Sequence, residues 1–215
     1  MKKYNVILIL VDGARVDRLH KSPEYNQLKT KGTFFSNMVT AAPYTVASMH
    51  SIMSGMYGSK NGVDAYNNML KFKDECKTLP MYLNDSGYYV RGDTINLNLV
   101  PHRGFDKITA HDEYKVNPYS VHKKIIDEVS VVNKPFFLYL HYGSIHTSIV
   151  QNIFNKYEDF DDEYFANIAN NSKNYDSLLQ ESGKYVKKIY DYIENNNLLK
   201  DSIVIITTDH GMGVG

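Results

Sequence analysis

Three stretches of this chain are apolar almost without a break: Val6 to Val11, Phe136 to Leu140 and Ile203 to Ile206. A strand with one wet face alternates apolar and polar residues. A continuous β-branched-rich run such as Asn5-Val6-Ile7-Leu8-Ile9-Leu10-Val11 needs burial on both faces, as in a parallel sheet covered by helices. Helix patterns fall between these runs. Pro23 to Lys31 reads as a short helix, and Thr78 to Ser86 as another with Leu79, Met81, Tyr82 and Leu83 inward and Gly87 as its stop. Tyr119 to Val132 is amphipathic through Val121, Ile125, Ile126 and Val129, and Leu178 to Asn195 through Leu179, Val186, Ile189 and Ile193. Short strands are expected at Thr33–Phe35 and Tyr88–Gly92. Val100 to Tyr114 reads as mostly loop. The Asn-rich stretch 150–172 reads as a surface insertion with some helix, its acidic run Glu158 to Glu163 a solvated face. The alternation predicts one α/β domain with a mainly parallel sheet. Right-handed crossovers then bring the strand C-termini to one edge.

Composition narrows what that edge can bind. Lys+Arg and Asp+Glu number 24 each, so no net charge favours nucleic acid or an anionic membrane. The single cysteine, Cys76, can form neither a disulfide framework nor a thiolate zinc site and reads as a half-buried bystander. Lys2-Lys3 followed by Val6 to Val11 is too short for a signal peptide and runs into Asp12, and no stretch approaches membrane-spanning length. With so few cysteines, a cytoplasmic location is the expectation.

The apolar runs end in polar clusters: Asp12, then His141 with His146, then Asp209 with His210. Ligands of open α/β sheets bind outside the strand C-termini. A fourth element can face that place. Pro43 keeps Ala42 out of helix, Thr45 reads as an N-cap, Val46 to Met53 supply two turns, Gly55 stops them, and a Gly58/Gly62 turn follows. A helix N-terminus suits an anion. Taken singly, Asp12 and Asp209 read as turn residues, Thr45 as a cap and His146 as an ordinary histidine. Brought together, two carboxylates, an imidazole and a hydroxyl suit one divalent ion, Mn²⁺ first, with Zn²⁺, Ca²⁺ or Mg²⁺ as alternatives. Such an ion lowers the pKa of the Thr45 hydroxyl, and His146 can steady a substrate oxygen or protonate a leaving group.

These residues, in this order, resemble the alkaline phosphatase/sulfatase superfamily, in its sulfatase-like branch. Asn5 through Leu19 resembles the opening strand with its metal-binding aspartate. Thr45 through Gly55, continuing to Tyr57 and Gly62, resembles the nucleophile segment. Gly87-Tyr88, Arg103-Gly104-Phe105-Asp106 and Lys134-Pro135-Phe136-Phe137 are similar landmarks, His141 and His146 resemble the His-x-x-x-x-His segment, and Thr207-Thr208-Asp209-His210-Gly211 the second metal motif. The resemblance implies an alkaline-phosphatase-like three-layer fold over residues 1–215. It implies Asp12, Thr45, Asp209 and His210 as metal ligands, Thr45 and His146 as catalytic residues, and His141 and Asn96 as substrate-binding. Thr45 stands where a sulfatase carries the Cys or Ser converted to formylglycine, Met49 where the supporting arginine would be, and Gly13 where a second aspartate is usual. Tyr142 and Ile145 interrupt the Asp-x-x-Gly-His motif of the two-zinc phosphodiesterases. The resemblance therefore implies one metal, as in phosphoglycerol-transferase-like relatives. The implied activity is hydrolysis or transfer of small-molecule or headgroup phosphate mono- or diesters. A sulfuric ester hydrolase and a non-catalytic remnant are the alternatives. Family members continue beyond Asp-His-Gly, so a chain ending at Gly215 is expected to lack a C-terminal part.

Overall fold

The structure, a computed structural model, describes residues 2–64, 71–156 and 162–214. Its described residues form a five-stranded sheet in which every pairing is parallel. The strands are β1 (Asn5–Val11), β2 (Tyr89–Thr94), β3 (Lys107–Ala110), β4 (Phe136–Tyr142) and β5 (Ser202–Thr207), in the order β3-β2-β4-β1-β5. The two most apolar runs take the middle. Ile7, Ile9 and Leu10 on β1 and Leu138, Tyr139 and Leu140 on β4 are all fully buried.

Successive residues of β1 point into opposite layers, as the period of two requires. Ile7, Ile9 and Val11 join a core with α1 (Pro23–Lys29), α5 (Pro118–Ser130), α6 (Ser144–Lys156) and α8 (Ile168–Asn195). Leu8 and Leu10 join Met49 and Met53 of α2 (Thr45–Ser54) on the other face, with Leu83 of α4 (Leu79–Asp85) packed alongside. Helices on both faces make three layers, and that is why a parallel sheet can dispense with polar alternation. The long helix α8 buries Tyr175, Leu179, Val186, Ile189 and Ile193 at helical spacing. Gly183 on the same stripe lets α1 approach, since a Cβ there would lie 2.2 Å from Ser22 Oγ. Gly55 ends α2 in the left-handed region, and a one-turn helix, α3 (Gly58–Asn61), follows. No helix among the described residues is long and apolar enough to cross a membrane.

Several local expectations are corrected. Thr33–Phe35 forms no strand, and Phe35 is exposed, so its apolar composition had no neighbour to pair with. Val100–Tyr114 is not all loop: Lys107–Ala110 adds the short edge strand β3, whose pattern is too brief to declare itself. The stretch 150–172 is mainly helical in its described part, through the end of α6, α7 (Asp162–Ala166) and the first turn of α8. It buries Ile153 and Tyr164, which a surface insertion would not. Most of the acidic run lies outside the described residues; Asp162 and Glu163 are exposed. In α4, Pro80 is the buried residue while Leu79 and Tyr82 face solvent. On α5, His122 joins the inward stripe. Strand β5 is an edge strand of the described sheet, with Ile203 and Ile205 exposed. Cys76 is buried.

Candidate functional site

Strand register builds the site. Leu10 lies opposite His141 on β4 and Thr207 on β5. Asp12 follows at the end of β1, its amide donating to the Tyr142 carbonyl at 2.9 Å. Asp209 and His210 follow at the end of β5, so three strands deliver their polar ends at one level. Between Asp12 and Asp209 the chain turns at Gly13, whose φ of +76° favours glycine and whose amide donates to Asp209 Oδ1 at 3.3 Å.

Thr45 is the first residue of α2 rather than its cap. Tyr44 occupies the cap position in an extended conformation with no side-chain cap bond. Thr45 Oγ1 is thereby released from its own helix and lies 3.3 Å from Asp12 Oδ2 and 3.0 Å from His210 Nε2. The opening amides of α2 receive no cap bond from the Tyr44 side chain and lie beside a buried hydroxyl. His146, in the first turn of α6, places Nδ1 3.4 Å from Asp12 Oδ1, and its side chain is 33% exposed. It is the open member of the group. Asp12, His141, Asp209 and His210 are buried.

Asp12 and Asp209 are 1% and 0% exposed, and burying two carboxylates side by side is costly unless positive charge meets them. Burial pushes the Asp12 carboxyl up, but hydrogen bonds to His141 and His146 outweigh it and hold it well below the usual range. Asp209 goes the other way, raised by burial and then by the Asp12 charge. His146 is raised by its bond to Asp12, against its burial. Asp12 Oδ1, Asp209 Oδ2 and His146 Nδ1 are buried with only long contacts among the described residues, 3.4 Å between Asp12 Oδ1 and His146 Nδ1 and 3.3 Å between Asp209 Oδ2 and His210 Nε2. Asp12, His146 and His210 can each offer a ligand atom within 4.8 Å of one another. Buried oxygens converging with imidazole nitrogens fit a divalent ion, which would let both carboxylates ionise.

His141 and Asn96, expected to bind substrate, lie in different surroundings. His141 is fully buried behind Asp12, with Nε2 3.4 Å from Asp12 Oδ2. The carboxylate can only accept, so Nε2 carries the proton, and Nδ1 accepts from Tyr139 Oη at 3.0 Å and Thr94 Oγ1 at 3.1 Å. His141 thus lies behind Asp12, held between that carboxylate and the Tyr139 and Thr94 hydroxyls. Asn96 is exposed, and its Oδ1 caps a 3₁₀ turn by accepting from the Asn98 amide at 2.9 Å. Its carbonyl accepts from the Leu99 amide at 3.1 Å and from Thr94 Oγ1 of β2 at 3.4 Å.

Other contributors were not anticipated. Ser48 and Thr40 both donate to the Asp209 carbonyl, Ser48 at 2.7 Å, and Tyr175 Oη donates to the Gly13 carbonyl at 2.8 Å. Spacing could have found Ser48, one turn from Thr45 on the same helix face, and Tyr139, two residues before His141 on the same strand face. No local signal marks Thr40 or Tyr175.

The Sulfatase family model matches residues 4–215. An arylsulfatase of Clostridium perfringens is 30% identical over 122 residues, which is 52% of this chain and 25% of that protein. The low-salt glycan biosynthesis sulfotransferase Agl7 of Haloferax volcanii is 26% identical over 219 residues, covering 98% of this chain and 47% of its own length. The chain thus spans at most about half of these curated relatives. The zinc complex of the C-terminal periplasmic domain of EcEptC from Escherichia coli shares the fold, with a TM-score of 0.72 and 14% identity. The match covers 100% of this chain and 65% of that one. A family match over almost the whole sequence, on a three-layer parallel fold that gathers these strand ends, has one conclusion: the chain belongs to the sulfatase family, within the alkaline phosphatase/sulfatase superfamily.

Proposed function

We propose that this protein is a metal-dependent ester hydrolase or group transferase that uses Thr45 as its nucleophile and favours phosphate mono- or diesters. The observation that carries this reading is the place of Thr45 Oγ1. It is 3.3 Å from Asp12 Oδ2 and 3.0 Å from His210 Nε2, at the start of a helix whose cap residue makes no side-chain cap bond. Asp12, Asp209 and His210 would hold one divalent ion together with the Thr45 oxygen, with His146 in reach of the same place. When bound, that ion supplies positive charge that lowers the hydroxyl pKa and offsets charge on the transferring group.

The chain's own residues do the rest. The Thr45 hydroxyl donates to Asp12 Oδ2, which can take its proton as the oxygen attacks, while His210 Nε2, the nitrogen left to hold the ion, lies 3.0 Å from the same oxygen. The first amides of α2 face the anion's nonbridging oxygens. His146, half-open to solvent and raised in pKa by Asp12, donates to a nonbridging or leaving oxygen. His141, held by Tyr139 and Thr94, keeps Asp12 in place. Water or an acceptor alcohol then releases the group from Thr45. Threonine cannot be converted to the formylglycine aldehyde, which favours phosphoryl over sulfuryl chemistry.

A second reading, sulfuryl hydrolysis or transfer, is favoured by the names of the two relatives, an arylsulfatase and a sulfotransferase. Matched assays separate the two, using p-nitrophenyl phosphate, bis-p-nitrophenyl phosphate and p-nitrophenyl sulfate with Mn²⁺ or Zn²⁺, with and without glycerol as acceptor. Faster turnover of a phosphate ester, lowered about 10³-fold or more in Thr45→Ala, is expected. Faster sulfate turnover supports the second reading. Unchanged turnover in Thr45→Ala rejects the nucleophile.

A further inference from the structure

A second group of ligating side chains lies on the same C-terminal edge of the sheet, at β2 and β3, with β4 between it and the strand that carries Asp12. Asp93 at the end of β2, His111 just past β3 and His122 on α5 are all buried. His111 Nδ1 and His122 Nε2 converge on a single oxygen, Asp93 Oδ2, at 2.6 and 3.1 Å. The three ligand atoms lie within 4.8 Å of one another.

The far nitrogens are also provided for. His111 Nε2 is 3.5 Å from Glu113 Oε1, and His122 Nδ1 contacts the Tyr185 hydroxyl. An imidazole that binds a metal through one nitrogen typically donates its other N–H to a carboxylate or another fixed oxygen. His122 has that arrangement here, and His111 Nε2 faces the Glu113 carboxylate at 3.5 Å without a formed hydrogen bond. Charge points the same way. Asp93 and Glu113, with side chains 1% and 3% exposed, bring two negative charges into one buried network. Arg91, on the same strand as Asp93, is directed to Thr109 Oγ1 and Glu128. In the metal-free chain His111 meets both carboxylates, and a dication would take over that balance and leave both imidazoles neutral.

We propose that Asp93, His111 and His122 form a second, structural metal site for a Zn²⁺-class ion, independent of the strand-end site. Two imidazoles and a carboxylate in a buried setting suit zinc, with the fourth position left to a water molecule. Loading replaces the N–H groups that now face Asp93 Oδ2. His111 gives up its Nδ1 proton and keeps Nε2–H toward Glu113, while His122 takes the Nδ1–H tautomer toward Tyr185. The ion would tie the short edge strand β3 and helix α5 to β2. Glu113 carries the link onward, accepting from the Gly143 amide at 2.8 Å and Ser144 Oγ at 2.9 Å, at the start of the helix that bears His146.

The test counts metal in tag-free protein refolded with Zn²⁺ or Co²⁺ and then desalted. Two equivalents per chain are expected, falling to one in Asp209→Ala/His210→Ala, which disables only the strand-end site. The remaining Co²⁺ should show visible absorption and X-ray absorption scattering from two imidazoles. Adding His111→Gln in that background should release it. Because a substituted buried ligand can unfold the chain, the Asp209→Ala/His210→Ala protein with the cluster intact decides the matter. No residual equivalent there, or one that persists after His111→Gln, overturns the assignment. Ester turnover does not enter the readout, so failure of the proposed activity and failure of this site are distinguishable.

Discussion

At the scale of single residues, the site depends on side chains whose partners come from distant segments. His141 holds Asp12 without facing solvent, so its loss acts through the carboxylate. His141→Ala should weaken metal binding about 10- to 100-fold in calorimetric titration while leaving the fold intact by circular dichroism. An unchanged affinity would remove its positioning role. Gly13 presents a backbone case. A Cβ there would meet Ile145 Cγ2 and Met212 Cβ at 3.8 Å, ordinary contacts, so the cost of substitution is conformational. Gly13→Ala should lose about 1–2 kcal/mol in urea denaturation, and Gly13→Asn less, because asparagine tolerates the left-handed region better. Asp12, Thr45, Asp209 and His210 were all legible in the sequence because each follows an apolar strand or opens a helix. Asn96 was placed by resemblance alone, and the structure commits its side chain to a turn.

At the scale of elements, α2 and α8 show two kinds of sensitivity. His50 on α2 donates from Nδ1 to the Val46 carbonyl at 2.7 Å and packs against Phe72. Burial, the largest influence, depresses its pKa, the bond to Val46 opposes this, and His102 adds to the depression. A histidine depressed on folding binds its proton better when unfolded, so its contribution is complete above the unfolded value near 6.5 and declines as pH falls through the folded value. Melting temperatures at pH 7.5 and 5.5 should therefore fall less in His50→Gln than in the parent. An identical drop would exclude His50 as a source. On α8, Ile189 is fully buried, and Ile189→Ala should cost about 2–5 kcal/mol by denaturant titration. The α8 stripe was legible from Leu179 onward, since 3.6-residue periodicity survives without tertiary information. Its first ten residues were not, because the Asn-rich turns carry little apolar signal and are helical through contacts such as Asn171 Nδ2 to the Tyr164 carbonyl. Strand β3 stayed hidden for a related reason: a four-residue strand is defined by its partner Arg91–Thr94, not by its own pattern.

At the scale of the whole molecule, the parallel order β3-β2-β4-β1-β5 concentrates buried negative charge where β1 and β5 end. A cation that binds the folded chain there stabilises it by mass action, about 2.7 kcal/mol at a hundredfold excess over Kd. Chelator treatment should lower the melting temperature, and Mn²⁺ or Zn²⁺ should restore it. The restoration should be smaller in Asp12→Asn/Asp209→Asn, and an equal response in both proteins would place the stabilising ion elsewhere.

The sequence by itself determined the layer class, the middle strands and the residues at their ends, because strand burial and helix periodicity are local patterns read from residue type. Tertiary structure decided what those residues do to one another. Register set Asp12 level with Asp209, two residues beyond the position opposite His141. The turn through Tyr44 released Thr45 from capping its own helix. The packing of α5 and α8 against the sheet brought His122 and Tyr185 to Asp93. Such relations have no sequence signature, since they arise from distances between segments that only the closed sheet and its helices bring together.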